Sequence, residues 1–599
     1  MIHKMYKLHE YIDDEFFEEN PYGLVIDERE EEVIILEFKS GENENSFDYK
    51  GIYLEKFNVE KNKQKIFFKK VAARGTSEFP SVFVTFKDIN ENEDYFSEKK
   101  KKGKIITILQ KYNEDEKISS LYDSFLQNSE QIKESIKESM QGRKSDKDLY
   151  ILSLKIDNKY IGDSDIFKDI RQKTKENLLA PYFTLDNKVF KEVNKFCSVC
   201  LSENKEVWGY VSTFNFYTAK TEFAPIAGGL DKTKAWKNYP VCPECAVKLK
   251  DVKPIIEDYM NYYFCGFSYY LIPEFLISHP DNAEIMDFFL DKETALGKFS
   301  MSEQTRNSIT NSKTDILDII KDTDNRVNYS MLFYKKNNNE FKILMNIEDV
   351  YPSQFKQIFD AKNKAEENHI FKNLKSSKNV YDLKFKFEFI KDFMGELEKS
   401  FLEVVRSVFL QKKIDYSFLM IKIVDSIRTK FANNENISLS VLKSFMTLKF
   451  LNNLNIINLS LNKKEDKLES EYNDFFNEHK DFFNNPAKKA VFLEGVLCQK
   501  LLNIQYSKRE ASPFRNKLNG LKLSPKLIKK LFPEIISKLE QYDSNYYKKL
   551  EETISKLFLE SNFDDMSNDE ISFYFAVGMT LHKEIINNQS DKNNNSKTE

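Results

Sequence analysis

Two pairs of cysteines, each with two residues between its members, constrain the middle of this chain more than any other feature. The pairs are Cys197-Ser-Val-Cys200 and Cys242-Pro-Glu-Cys245, and residues 201–241 lie between them. Two intervening residues allow one tight turn to direct both sulfurs at the same point, and two such turns supply four tetrahedral thiolate ligands. Because four protein ligands leave no open coordination position, the spacing predicts a structural Zn²⁺ site rather than a catalytic one.

Two other interpretations of these cysteines stay open. The four thiols could be unrelated core residues, or one pair could form a thioredoxin-like redox dithiol. The chain holds only six cysteines among 599 residues, far fewer than a secreted disulfide-rich domain contains. We therefore expect metal ligands at the paired positions, a reducing compartment, and buried apolar roles for Cys265 and Cys498.

The length and the charge balance set broad limits on the protein. A chain of 599 residues predicts about three to five domains. Residues 1–10 contain no apolar run typical of a secretory signal, and no stretch approaches the ~18 apolar residues of a membrane-spanning helix. We expect a cytoplasmic protein without membrane contact.

The 91 basic and 95 acidic residues nearly cancel, so net charge neither favours nor excludes nucleic acid as a partner.

The hydrophobic pattern predicts an α+β multidomain fold. Residues 1–195 are predicted to form a mixed α/β domain, because short β-branched and aromatic runs alternate with polar turns. These runs are Glu32–Phe38, Lys65–Val71, Ser81–Phe86, Lys104–Leu109 and Leu149–Ile156. Residues 196–250 hold both cysteine pairs and predict an inserted zinc module. Residues 251–380 predict a mixed α+β region with a hairpin formed by Ser330–Lys335 and Glu340–Asn346.

Beyond residue 380, apolar side chains recur every three or four positions, which predicts helices. The spacing from Phe389 to Val408 gives one apolar helix face. Further helices are predicted at Tyr416–Phe431, Ser438–Leu451, Pro486–Tyr506, Ser524–Lys530, Ile535–Tyr547 and Asp569–Ile586. Residues 381–586 are therefore predicted to form an all-α C-terminal bundle, and the polar composition of residues 587–599 predicts a disordered tail.

The sequence contains no recognised catalytic motif. None of its six histidines stands in an HExxH or HxxxH pattern, and GxSxG, GxGxxG and GxxxxGK[ST] are all absent. Acidic doublets such as Asp13-Asp14 and Asp564-Asp565 are typical of a solvated surface. We expect that the chain is not an enzyme. The alternative is a zinc-dependent nucleic-acid-processing enzyme, such as a nuclease, whose catalytic carboxylates form no recognisable motif.

Local clusters of basic residues are the candidate contacts with nucleic acid. Lysine and arginine would bind phosphates, and a threonine beside them could hydrogen-bond a base edge or the backbone. The N-terminal candidates are Lys69, Lys70, Arg74, Thr76, Lys99, Lys100, Lys101, Lys102 and Lys104. The candidates in the helical part are Arg515, Lys517 and Lys522. Such clusters also occur on ordinary solvated surfaces, and that alternative stays open.

The segment from Phe196 to Leu249 resembles a known family. It contains CSVC, VWGYVSTFNFYTAKTEF and KAWKNYPVCPECAVKL, and it is similar to the large subunit of the type I-B CRISPR Cascade complex, in its zinc-knuckle branch. Three further stretches agree with that family in order and position: Leu149–Gly162, Phe341–Phe355 and Val491–Gln505. The resemblance covers most of the chain, and the cysteine segment is its most specific part.

The resemblance implies a ribonucleoprotein made with a guide RNA, backbone subunits and small subunits. It implies that the N-terminal part recognises the protospacer-adjacent motif (PAM) on duplex target DNA and starts strand separation. The C-terminal bundle would resemble the small subunits and hold the displaced strand, and a separate helicase-nuclease would dock on the complex. In such effectors base pairing with the guide reads the sequence, while protein reads only the short flanking motif.

Overall fold

The computed structural model describes most of the chain as two compact units. The first comprises Met1–Tyr259 with Pro280–Asp291, and the second comprises Met260–His279 with Lys292–Glu599. The described residues are 1–12, 31–41, 45–57, 65–67, 81–85, 105–140, 149–171, 183–184, 188–214, 227, 231–279, 281–290, 325–337, 340–375, 380–459 and 470–595. Sheets in the N-terminal half, a helical C-terminal region and a four-cysteine cluster between them confirm the predicted fold class.

The first unit begins with a short helix and continues into a mixed sheet. Its elements are α1 (Ile2–Lys7), β1 (Glu31–Ser40), β2 (Phe47–Phe57), β3 (Val82–Thr85), β4 (Leu149–Ile156) and β5 (Lys159–Tyr160). The strand order is β2-β1-β4-β3, with β5 paired to β4. Strands β1 and β4 run parallel, and the other pairs are antiparallel. A parallel pair requires a crossover connection, so β1 and β4 come from distant parts of the sequence.

Three helices contribute to the core on one face of this sheet: α2 (Ile105–Lys111), α3 (Glu116–Gln127) and α4 (Ser129–Met140). Side chains alternate along β1, so Ile34 and Leu36 belong to the core that the helices share, while Val33 and Ile35 belong to a smaller cluster. Helix α3 begins where it does because the Asp115 carboxylate accepts hydrogen bonds from two backbone N–H groups of its first turn.

Two predicted strands of this region are wrong within the described residues. Lys104–Leu109 was expected to be a strand, but Ile105–Lys111 is helix α2, with four apolar side chains buried. A short apolar run fits a buried strand and a buried helix equally well by periodicity, and packing against α3 decides between them. Residues 65 and 66 are helical and Phe67 is a turn, so they do not begin the strand expected over Lys65–Val71, whose remaining residues lie outside the described chain.

The first unit also contains the elements that carry the cysteines. They are β6 (Lys191–Lys195), β7 (Lys205–Trp208), α5 (Pro243–Tyr259) and α6 (Asp281–Leu290). Strands β6 and β7 form a two-stranded antiparallel sheet, and α1 packs against α5. The first helix of the chain therefore lies beside the helix that follows the second cysteine pair.

The second unit opens with an antiparallel sheet. Its strands are β8 (Asn261–Phe264), β9 (Phe267–Phe275), β10 (Val327–Asn337) and β11 (Glu340–Val350), in the order β11-β10-β9-β8. The β10–β11 pair is the predicted hairpin, and its register places Phe333 opposite Met345. Two short strands, β12 (Leu374–Lys375) and β13 (Val380–Tyr381), pair with each other further along the chain.

Most of the remaining described residues of the second unit are helical. The helices are α7 (Pro352–Glu366), α8 (Glu388–Met394), α9 (Glu398–Phe409), α10 (Tyr416–Ala432), α11 (Ser438–Asn453), α12 (Asn473–Glu478), α13 (Pro486–Arg509), α14 (Pro525–Gln541), α15 (Lys548–Glu560) and α16 (Asn568–Asn595). Helix α13 is nearly surrounded by protein, since most of its side chains from Pro486 to Leu502 are buried. Within the described chain, none of the helices combines the length and apolar character needed to cross a membrane.

Helix boundaries differ from the sequence prediction at three places. The apolar face from Phe389 to Val408 is divided between α8 and α9, because Gly395 adopts a left-handed backbone with φ 62°. The two helices expected within Ser524–Tyr547 are one helix, α14, whose internal Pro533 is exposed to solvent. Helix α16 runs into the segment for which composition predicts disorder. The division into five domains stays a prediction.

Candidate metal centre and candidate nucleic-acid residues

The first cysteine pair occupies a tight turn directly after β6. The backbone N–H of Cys197 donates to the Ser202 carbonyl at 2.9 Å, and the N–H of Leu201 donates to the Cys197 carbonyl at 3.0 Å. Leu201 closes the turn in the left-handed region, with φ 62°. The two bonds fold the backbone around the pair, so that Cys197 and Cys200 share one side of the turn.

The second pair lies at the start of helix α5. The N–H of Trp208 in β7 donates to the Val241 carbonyl at 2.8 Å, which places Cys242 beside the first turn. The helix begins at Pro243, a residue suited to that position because its nitrogen has no hydrogen to satisfy. Cys245 lies in the first helical turn, where the positive end of the helix dipole favours a thiolate.

The four sulfurs converge on one point. All four Sγ atoms lie within 4.8 Å of one another, and those of Cys200 and Cys242 are 4.0 Å apart. A tetrahedral site with metal–sulfur bonds of ~2.3 Å separates its sulfurs by ~3.8 Å, so the spacing fits. Cys197, Cys242 and Cys245 are buried, and Cys200 is half-buried. The cluster could therefore hold one metal ion with four protein ligands.

Contacts among the cysteines shift the pKa values of their thiols. A hydrogen bond with Cys245 lowers the pKa of Cys197 to about 4, helped by the backbone N–H of Cys242, which lies 3.3 Å from the Cys197 sulfur. The same contact, together with burial, raises the pKa of Cys245. Burial also raises the pKa of Cys242. Four adjacent thiolates would need a cation to balance their charge, and a metal ion held by the cluster would supply it.

Two residues of α1 that were not predicted as site residues, His3 and Tyr6, approach the cluster. His3 forms a hydrogen bond through Nδ1 with the carbonyl of Val199, between the first two cysteines. Burial and the nearby Cys245 raise the pKa of Tyr6, so its phenol stays protonated and able to donate to sulfur. The spacing of three residues between His3 and Tyr6 places both on one helix face. That spacing was the only feature of the sequence that could have indicated that they act together.

The N-terminal nucleic-acid candidates lie outside the described residues. They are Lys69, Lys70, Arg74, Thr76, Lys99, Lys100, Lys101, Lys102 and Lys104. Their assignment stays a prediction.

The three candidates of the helical part differ in what they contact. The Arg515 guanidinium lies 3.5 Å from the centre of the Phe431 ring and donates to the Phe431 carbonyl at 2.7 Å. Lys517 forms an ion pair with Glu534 at 3.3 Å, and Lys522 is exposed. Arg515 therefore has a structural role in the bundle, and contact of any of the three with nucleic acid stays a prediction.

Within the described residues, the four cysteines are the one group of three or more Cys, His, Asp or Glu side chains close enough to hold a metal ion. The two remaining cysteines, Cys265 and Cys498, are buried as expected. Burial raises the pKa of both thiols. They behave as apolar core residues at neutral pH.

Three family models match consecutive parts of the chain. They describe the N-terminal, central and C-terminal domains of CRISPR-associated protein TM1802 (cas_TM1802), and they match residues 1–173, 194–350 and 385–593 respectively. The central match contains all four clustered cysteines. No curated protein matches the chain.

Proposed function

The chain belongs to the CRISPR-associated protein TM1802 family, and from that membership we propose that it is the large subunit of a type I-B CRISPR Cascade surveillance ribonucleoprotein. The observation that carries the proposal is the match of three domain models in order along the chain. The likeness of the segment around the cysteines to the zinc-knuckle branch of that subunit supports the same role.

The proposed subunit recognises foreign DNA and leaves cleavage to another protein. Its N-terminal part binds the PAM on duplex DNA and promotes R-loop formation, in which the guide RNA pairs with one strand. Its partners are the guide RNA, the backbone and small subunits, and a separate helicase-nuclease that it helps to recruit. The absence of any recognised catalytic motif in the sequence supports a subunit without enzymatic activity.

The metal of the four-cysteine centre is proposed to be a structural Zn²⁺ ion. Zinc has no redox chemistry and no geometric preference of its own, so it suits a closed tetrahedral set of thiolates. Cys197, Cys200, Cys242 and Cys245 would hold it, and it would join the turn after β6 to the start of α5. Such an ion stabilises the surrounding fold, because the site does not exist in the unfolded chain.

Reconstitution of the whole complex tests the proposed function. The chain is produced with guide RNA and the other subunits, and permanganate footprinting measures strand opening on targets that differ only in the PAM. We expect opening that requires the correct PAM and is lost when this chain is omitted. Strand opening that proceeds equally well without this chain would refute the proposed role.

A second measurement tests the alternative function, a metal-dependent nuclease. The purified chain is incubated with duplex DNA, single-stranded DNA or RNA in the presence of Mg²⁺ or Mn²⁺. We expect intact nucleic acid. Specific cleavage that is lost on substitution of an acidic residue of this chain would favour the nuclease instead.

A further inference from the structure

Exposed apolar side chains are concentrated around the first cysteine turn. Of the sixteen large apolar side chains that are exposed among the described residues, four lie within the thirteen residues 189–201. Phe196 directly precedes Cys197, and Leu201 directly follows Cys200. Single exposed apolar side chains are ordinary, but several in one place are typical of a surface that another molecule covers. The four are Val189, Val193, Phe196 and Leu201.

Leu201 is the member of this group that the fold explains least. Its backbone φ is 62°, in the left-handed region, where a leucine is disfavoured because its Cβ crowds the following carbonyl oxygen. The side chain is 58% exposed, so burial in a core does not offset that cost. Glycine or asparagine would adopt the same backbone more readily. The turn therefore gives no reason for a leucine here, whereas contact with another molecule would.

Lysines without carboxylate partners lie beside these apolar side chains. Lys195 and Lys205 are opposite each other in the β6–β7 ladder, where like charges repel. Lys195 and Lys237 lie over the Trp236 ring, with Nζ 4.8 and 5.8 Å from its centroid. None of these three lysines forms an ion pair with a residue that the structure describes. Each ammonium group therefore keeps N–H donors for an anionic partner.

The unpaired charges of this surface are positive in sum. Lys191 pairs with Glu206 at 3.1 Å, so these two charges balance each other. Among the described charged residues of 188–208, Lys188, Lys195, Lys205, Glu192 and Glu203 remain without an ion pair. With Lys237, the unpaired lysines outnumber the unpaired glutamates by four to two. Acidic groups on a partner would complement this excess.

The combination of side chains favours a protein over a nucleic acid as the partner. A nucleic acid offers mainly phosphates and base faces, which contact lysines and aromatic rings. Three of the four exposed apolar side chains are aliphatic, and these pack most fully against apolar side chains of a protein. Apolar residues at the centre with charged residues around them are also the usual arrangement of an interface between proteins.

We propose that this knuckle surface docks an apolar protein surface that is bordered by Asp and Glu side chains. The inference rests on the proposed function for the source of the partner, which is another protein subunit of the ribonucleoprotein. The first cysteine turn then both supplies two metal ligands and presents apolar side chains to that subunit. The knuckle surface consists of Val189, Val193, Phe196 and Leu201, with Lys195, Lys205 and Lys237 at its border.

Photocrosslinking in the complete complex identifies the occupant. The photoreactive residue p-benzoylphenylalanine replaces Leu201, the chain is assembled with guide RNA and the other subunits, and crosslinked peptides are mapped by mass spectrometry after irradiation. We expect a crosslink to one protein subunit, within a segment that contains apolar and acidic residues. The control carries the same photoreactive residue in place of Leu559, which is 87% exposed on α15, and it should not crosslink to that segment.

Two variants test the apolar and the charged contributions without disturbing the turn. Leu201→Asn removes the aliphatic side chain and suits the left-handed backbone better than leucine does. Lys205→Glu removes the repulsion across the ladder and places an acidic group on the knuckle surface. We expect each to raise the Kd of the chain for the rest of the complex at least about tenfold, with zinc content unchanged. Leu559→Ser should leave that Kd unchanged.

The outcomes separate this inference from the proposed function. Crosslinks only to RNA, to DNA or to a second copy of this chain would refute a protein subunit as the occupant, and an unchanged Kd of the Leu201→Asn variant would refute the knuckle surface. PAM-dependent opening by a complex in which position 201 crosslinks to no protein would refute the surface and leave the Cascade role intact. The expected crosslink, in a complex whose strand opening does not need this chain, would support the surface and refute the Cascade role.

Discussion

At the scale of single residues, the candidate metal centre is built from three separate parts of the chain. Two turns supply the cysteines, and α1 supplies Tyr6 and His3. The cysteines were predictable because a CxxC turn is a local pattern whose chemistry depends only on its spacing. Tyr6 was not predictable, because its position beside Cys245 results from the packing of α1 on α5, which leaves no pattern in the nearby sequence.

We predict that replacing Cys197 and Cys242 together with serine removes the metal. Together the two substitutions remove one ligand from each pair, so the two remaining cysteines cannot complete a tetrahedral site. Metal content, measured by mass spectrometry of the purified chain, should fall from about one zinc per chain to near zero. Hydrogen exchange should increase over β6, β7 and α5, because metal binding contributes to folding.

The matched control replaces the two buried cysteines outside the cluster, Cys265 and Cys498, with alanine. That variant should keep its zinc, since neither thiol lies in the cluster. Full zinc retention by the Cys197→Ser/Cys242→Ser chain would show that the four sulfurs are not the ligands.

Tyr6→Phe tests whether the first helix supports the centre. The substitution keeps the ring and removes only the hydroxyl that can donate to the Cys245 sulfur. Residues that hydrogen-bond to metal ligands change metal affinity by about 10–100-fold, so transfer of zinc to a chelator should become at least about tenfold more favourable. Tyr11→Phe is the control, because the Tyr11 hydroxyl interacts with Asn282 instead. Equal zinc affinity in both variants would assign Tyr6 a packing role alone.

At the scale of elements, the long helices and several short strands were predictable, but one short apolar run was assigned to the wrong kind of element. Helices α10, α11 and α13 are 17, 16 and 24 residues long, and that length distinguishes such apolar segments from strands. The apolar run at Lys104–Leu109 is too short for its hydrophobic period to distinguish a helix from a strand. Packing against α3 favours the helix that is observed. The break expected between residues 530 and 535 is absent, because helix α14 continues through the exposed Pro533.

The crossing of α13 and α16 depends on two glycines. A Cβ atom on Gly578 would lie 1.9 Å from the carbonyl oxygen of Phe492, and one on Gly495 would lie 2.2 Å from that of Phe575. Backbone atoms cannot move aside as a side chain can. We therefore predict that Gly578→Ala lowers the stability of the bundle by about 3 kcal/mol or more, the upper end for overpacked cores.

Hydrogen exchange of α13 and α16 measures the effect of Gly578→Ala directly. Helix propensity alone predicts the opposite sign, since alanine is favoured over glycine in a helix by about 1 kcal/mol. Ser407→Ala, a substitution on α9 outside this crossing, provides the control for alanine in a helix of the same unit. Slower exchange in Gly578→Ala than in the wild type would show that the two helices have room to separate.

His479, which follows α12, makes the helical region sensitive to acid. Burial, Lys449 with its Nζ 3.2 Å away, and His369 lower the pKa of His479 to about 3; His369 itself contacts Glu478. Below about pH 6.5 the unfolded chain binds a proton at this residue that the folded chain does not bind. Stability is therefore lost as the pH falls below 6.5, by about 2 kcal/mol at pH 5 for this group.

His479→Phe should reduce that loss. The ring stays among its aromatic neighbours, Phe445 and Phe475, but it can no longer bind a proton. We expect the acceleration of hydrogen exchange over residues 473–483 between pH 7.5 and pH 5, after correction for intrinsic exchange rates, to be smaller in the variant. The same acceleration in both chains would assign the acid sensitivity to other groups.

At the scale of the whole molecule, the near-neutral charge means that the proposed binding of nucleic acid would depend on local clusters of basic residues. The 91 basic and 95 acidic residues give a formal net charge of −4, so attraction to DNA cannot come from the overall charge. In the helical part, ion pairing of Lys517 and stacking of Arg515 on Phe431 already engage two of the three candidates. The run Lys99–Lys102 has four adjacent positive charges, so it is the stronger candidate for phosphate contacts.

Replacing Lys99–Lys102 with glutamine tests that assignment through the salt dependence of binding. Each phosphate neutralised by a lysine contributes about 0.9 to the slope of log affinity against log salt concentration, so four contacts contribute up to about 3.6. We expect duplex affinity to fall and the slope to flatten by as much as that. Lys517→Gln with Lys522→Gln should change the slope less, because Glu534 already pairs with Lys517. An unchanged slope in the first variant would exclude these four lysines, and a larger change in the second would place the duplex on the helical part instead.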